Sequence, residues 1–279
     1  MKPLAPRTVG GQTNIAPINA QVNVAVLEEK KGTPGALVGR DITADEKKST
    51  GQVLSRETAP KITQVGVYHK DKATSPAMQL LNKGFEADKA GNYKSAQKSY
   101  TAAFGALREQ AIKQLGPQLE KAGFDQAWLQ SNDNAAVWSS MAREGHFDAA
   151  PDIKNAMKMY LNRNGLAIKH EAGDAKTEKS PDQRAMTYGD AMMFCTMATQ
   201  IDPNYGPAHY NLACIALKGS EAGLRGFENA KGEALKELGE AIKDKGFDFK
   251  KLAREQDTDW NAMRMTSPQF REMVGLSAL

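Results

Sequence analysis

The sequence predicts an all-α fold, an α-α superhelix over residues 76–279, preceded by a largely disordered segment over residues 1–75. Three observations carry that expectation. From Pro76 onward, apolar residues recur with the 3.6-residue period of an amphipathic helix. Start and stop signals punctuate that pattern. Composition also switches at Ser75: 18 of 19 aromatic residues follow it, while 8 of 10 valines precede it.

Residues 1–75 carry 11 Lys+Arg against 7 Asp+Glu, and residues 76–279 carry 26 of each. The whole net charge of +4 therefore belongs to the first segment. That segment has five prolines, seven glycines and one aromatic, Tyr68. Ordering a residue costs roughly 1–2 kcal/mol of backbone entropy, and so few large side chains offer little to offset it, which predicts disorder. Two stretches, Gln21–Val26 and Thr63–Val67, alternate at period two. They are strand-prone and suited to pairing with a partner's sheet edge. No run of eighteen apolar residues exists, which excludes a membrane-spanning helix. The first seven residues offer no apolar core for a Sec signal peptide.

The helical elements follow in order. Ser75-Pro76 opens a helix with Pro in its first turn, and Ala90-Gly91-Asn92 closes it. A second helix is expected from Tyr93 to Leu115, stopped by Gly116-Pro117. A middle pair is expected at 134–143 and 151–163, with 144–148 as its turn and Asn164-Gly165 as a C-cap signal. Residues 169–179 are charged and read as a loop. Ser180-Pro181-Asp182-Gln183 is a capping box with Pro in the first turn, starting a helix to about Ile201. His209–Ala216 and Ala234–Ala241 give two further helices, separated by an insertion at 219–230.

Spacing then repeats. Leu80-x2-Lys83-Gly84-x2-Ala87 leads to Ala96-x3-Tyr100-x2-Ala103, and His209-x2-Leu212-Ala213-x2-Ala216 leads to Ala234-x3-Leu238-x2-Ala241. The junction Asp202-Pro203-Asn204-Tyr205 precedes the second set. These residues resemble the tetratricopeptide repeat (TPR), in which small residues let two helices cross closely and pairs stack into a superhelix. Asp257–Arg264 and Ser267–Phe270 resemble the closing segment of TPR arrays, with Trp260, Met263, Phe270 and Met273 facing inward. A generic helical bundle or solenoid is the alternative architecture. The spacing between sets is not a multiple of the family's repeat length, and Lys83 and Ala87 depart from its preferences.

The resemblance implies a concave groove that binds a protein segment. Carried onto this sequence, its lining is Leu81, Asn82, Phe85 and Lys89 in the first set. In the last set it is Tyr210, Asn211 and Lys218, with Cys214 between. Asn82 and Asn211 occupy the same repeat position, and a side-chain amide offers both donor and acceptor to a peptide backbone. Leu81 and Phe85 stand where a carboxylate clamp would need Lys and Asn, so that specialisation is not implied.

The sequence carries no recognisable catalytic pattern. The four histidines share no metal-binding helix face, and no Gly-x-Ser-x-Gly or phosphate-binding loop occurs. Cys195 and Cys214 read as buried thiols. Asp257 and Asp259 read as caps rather than metal ligands. Met186, Met192, Met193 and Met197 read as core first and as an adaptable apolar surface second. The neutral helical part lacks a basic patch with aromatics, which argues against nucleic acid. The expected function is a non-enzymatic interaction scaffold without cofactor or metal, binding a protein or peptide. One alternative is a secreted, type III-like effector whose residues 1–75 dock a chaperone. Another is a helical enzyme whose site is not legible in sequence. The expected location is the cytoplasm, or outside it by a non-Sec route.

Overall fold

The computed structural model describes residues 75–174 and 179–277. The expectations for residues 1–74, the strand-prone stretches and the chaperone contact included, lie outside the described residues. Within them the chain is all helical, with no strand.

The first hairpin pairs α1 (Pro76–Lys89) with α2 (Tyr93–Lys121). Ser75 caps α1 by accepting from the Met78 N–H, and Asn92 caps α2 by accepting from that of Ser95. Gly91 turns the chain at φ 72°, a region that a Cβ disfavours. Gly84 marks the crossing: a Cβ there would meet the Tyr100 ring at 2.6 Å. The second helix does not stop at Gly116-Pro117 but continues to Lys121 with Pro117 inside it. A helix-internal proline costs about 3 kcal/mol. Leu115 and Leu119, both buried on either side of it, offset that at about 1.5–3 kcal/mol each.

Two short helices follow, α3 (Gln126–Ser131) and α4 (Ala135–Arg143). A turn at 144–149 leads to α5 (Pro151–Gly173), which does not end at Asn164-Gly165. Its main partner is α6 (Pro181–Ile201), not α4. Gly165 is a crossing residue instead of a cap: a Cβ there would meet the Cys195 Sγ at 2.7 Å and the Ala191 carbonyl at 2.9 Å. Residues 169–173, expected in a loop, form the last turn of α5. The capping box of α6 is formed as expected, with Ser180 and Gln183 each bonded to the other's backbone.

The third hairpin joins α7 (Gly206–Glu221) to α8 (Ala230–Ile242) across the expected insertion. The chain ends in α9 (Phe249–Lys251), a π-helical turn over Leu252–Gln256 and a 3-10 turn over Thr258–Trp260. Helices α10 (Asn261–Thr266) and α11 (Pro268–Val274) complete it. Trp260, Met263 and Phe270 are buried, as expected, and Met273 is half-buried. They share a core cluster with Tyr210, Leu217 and Leu238 of the third hairpin.

Helix α5 is central. It packs on both α1 and α2, and α7 packs on both α5 and α6. First helices therefore touch first helices, and each second helix touches the next first helix.

Candidate functional site

The functional candidates lie along α5, where it packs on α1 and α7 and where Lys169 meets the C-terminal segment. Polar side chains that face one another there satisfy one another, as burial demands. Arg163 donates to the Asn82 Oδ1 at 3.1 Å, and its guanidinium lies 5.3 Å from the centre of the Phe85 ring. Asp88, buried on α1, meets the His170 Nδ1 at 3.0 Å. On the other side of α5, Asn211 donates to the Asn162 Oδ1 at 2.8 Å. Asn82 and Asn211 thus tie α1 and α7 to α5.

A charged group sits under the C-terminal segment. Lys169 pairs with Asp259, and Lys218 approaches the same carboxylate at 3.8 Å. Tyr210 donates to the Asp257 Oδ2 at 2.9 Å, and the Cys214 thiol lies 3.6 Å from that oxygen. Asp257 also caps the 3-10 turn by accepting from the Asp259 N–H at 2.9 Å. Burial alone would lower the Lys169 pKa, but the Asp259 charge outweighs it and holds the ammonium above its ordinary value. Asp259 is opposed by burial and carried below the usual carboxylate range by Lys169. Asp257 is pushed up, first by burial and then by its neighbour Asp259.

Cys214, Asp257 and Asp259 lie close enough together to share a cation. Their chemistry fits one poorly. The Lys169 ammonium already occupies the cation's place beside Asp259, and the Asp257 oxygens accept from Tyr210 and from backbone. Burial, then Asp257, raises the Cys214 thiol well above its ordinary pKa, against the thiolate that a metal requires. Burial likewise pushes Cys195 up to about 12. Nucleophiles need the opposite shift, so this group is arranged to hold elements together.

The expected groove residues fall into two sets with α5 between them. Leu81 and Tyr210 are fully buried, and Asn211 is 3% exposed. Asn82 and Phe85 are half-buried beside Arg163. Lys89 is exposed, 3.7 Å from Glu86. Lys218 donates to Glu221 at 2.8 Å. Lys89 is thus the exposed member of the two sets, and Asn82, Phe85 and Lys218 are half-buried. Asn162, Arg163, Lys169 and His170, which link the two sets, escaped sequence reasoning because Asn164-Gly165 reads as a helix end and 169–179 as a loop. No described helix is long and apolar enough to cross a membrane. No protein-family model matches the chain, and neither a curated protein nor a solved structure shows significant similarity to it.

Proposed function

We propose that the helical part is a TPR-like interaction scaffold, binding a protein segment without chemistry of its own. One observation carries the reading: three helical hairpins follow one another with first helix against first helix, and a terminal segment covers the last pair. Stacked pairs that bury their faces only against neighbours are the architecture of repeat scaffolds. The partner surface is the accessible edge of the first-helix row, with Phe85 and Lys89 at one end and Lys218 at the other. The buried asparagines and the charged group beneath set its shape.

The test compares the full chain with Phe85→Glu and Lys218→Glu in quantitative affinity capture from native extract, with thermal melting as a fold control. Partners lost by both variants at unchanged melting support the reading. An identical partner set in all three proteins contradicts it.

A second reading rests on the compositional switch at Ser75: residues 1–75 would direct export by a non-Sec route and dock a chaperone. Deleting them tests it. Unchanged location and unchanged partners would remove that reading and leave a cytoplasmic scaffold.

A further inference from the structure

A second accessible site lies on the opposite side of α5. An open cleft of about 380 Å³ is walled by Phe104 of α2, Tyr160 of α5 and Met193, Phe194 and Met197 of α6. That volume falls within the usual range for ligand pockets, roughly 300–1,000 Å³. Tyr160 and Asn164 sit one turn apart on α5. At about 100° per residue they are about half a turn around from Asn162 and Lys169, so the cleft does not belong to the first-helix row.

The floor is ordered and apolar. The Phe104 and Tyr160 rings stack at 5.0 Å, and Phe194 meets Tyr160 edge-on at 6.3 Å. Met193 lies beside them at 48% exposure. The polar groups are not consumed internally. Tyr160 is 5% exposed, and its hydroxyl makes no hydrogen bond among the described residues. Tyr160 lines the open cleft, where a ligand would supply that partner. The Asn164 amide, one turn away, is likewise uncommitted. At the rim, Asn134 uses its oxygen to cap α4 and keeps its NH2. Asp133 is the sole charged residue of the lining and makes no ion pair among the described residues.

We infer that this cleft binds an extended peptide segment through one apolar anchor side chain flanked by a Lys or Arg. The aromatic floor takes the anchor, and the methionines adapt to its shape. The two amides and the Tyr160 hydroxyl meet the backbone on either side, since an amide supplies donor and acceptor together. The Asp133 carboxylate selects the basic neighbour. This site adds to the scaffold reading and rests on it only for the expectation that the ligand is a peptide.

The experiment is a selection from a random dodecapeptide library on the immobilised full chain, followed by affinity measurement of the enriched peptides. The expected result is a consensus of one large apolar residue beside Lys or Arg. Met193→Glu, at an exposed position that leaves the core intact, should weaken those peptides at least tenfold. Tyr160→Phe, which keeps the ring, should weaken them about fivefold, the loss of one hydrogen bond. Asp133→Lys should abolish the preference for a basic flank, and Phe85→Glu should change nothing. No enrichment, an acidic consensus, or affinities indifferent to Met193→Glu would overturn the inference. Peptides lost with Phe85→Glu but kept with Met193→Glu would also overturn it, while leaving the first-helix reading standing.

Discussion

Lys169 illustrates how a single residue acquires its role from a distant partner. Its ammonium and the Asp259 carboxylate are separated by 90 residues and buried together. Removing one charge strands the other, which typically costs about 3–5 kcal/mol. Lys169→Met is therefore expected to lower stability by that amount in urea unfolding. The double variant Lys169→Met/Asp259→Leu should recover most of it, since an apolar pair leaves no orphan charge. His209 gives a pH dependence. Its Nδ1 lies 2.6 Å from Glu237 and its Nε2 2.9 Å from the Pro203 carbonyl, so both nitrogens meet acceptors. Burial pulls its pKa down, but the Glu237 hydrogen bond and the other acceptors outweigh that and raise it. The folded state thus holds the proton more tightly than the unfolded chain, whose histidine titrates near about 6.5. This stabilisation is complete below that value and disappears as pH rises through the raised folded value. Urea midpoints measured from pH 6 upward should fall more steeply for the wild type than for His209→Gln.

At the scale of elements, crossing glycines decide which helices pair. Gly165 brings α5 against α6, with a backbone carbonyl on the far side that cannot rotate away. Gly165→Ala is expected to cost about 1–3 kcal/mol through overpacking. Gly105, inside α2, faces open space. Gly105→Ala should instead stabilise by about 0.5–1 kcal/mol, the helix-propensity gain. Thermal or urea unfolding of the two variants, with opposite signs, checks the assignment. The same glycines explain what sequence could and could not reveal. Gly91 after Ala90 is a true turn, and Ser180 with Gln183 is a true capping box, because both are satisfied within a few residues. Asn164-Gly165 carries the same local signal as a helix end, yet the residue exists for Ala191 and Cys195 of α6, 26 and 30 residues later in the chain. Lys169 and His170 read as loop charges because their acceptors, Asp259 and Asp88, belong to other elements. The spacing around Gly84 was legible as a close helix crossing, and Gly84 does meet the Tyr100 ring. The crossing at Gly165 was not, since its partners lie in α6.

For the whole molecule, the all-helical class and the inward-facing aromatics of the C-terminal segment were legible. Periodicity and cap chemistry are local, and an apolar segment after the last long helix has one obvious surface to cover. That segment acts as a lid: Trp260 stacks on Phe270 at 5.1 Å and lies 6.2 Å from Tyr210. Trp260→Ala should destabilise the chain by about 3–5 kcal/mol and uncover the α7–α8 face, measurable as dye binding before global unfolding. The groove residues were legible as positions but not as contacts, because α5 supplies their partners. The account stands on α5 being the first helix of the middle hairpin, set between α1 and α7. The most direct test is nuclear Overhauser contact from the Gly165 Hα protons in the full chain. Cross-peaks to Phe194 and Ala191 of α6 are expected, since a Cβ at Gly165 would lie 3.2 Å from the Phe194 Cβ. Cross-peaks to α4 in their place, with none to Phe194, would contradict the arrangement.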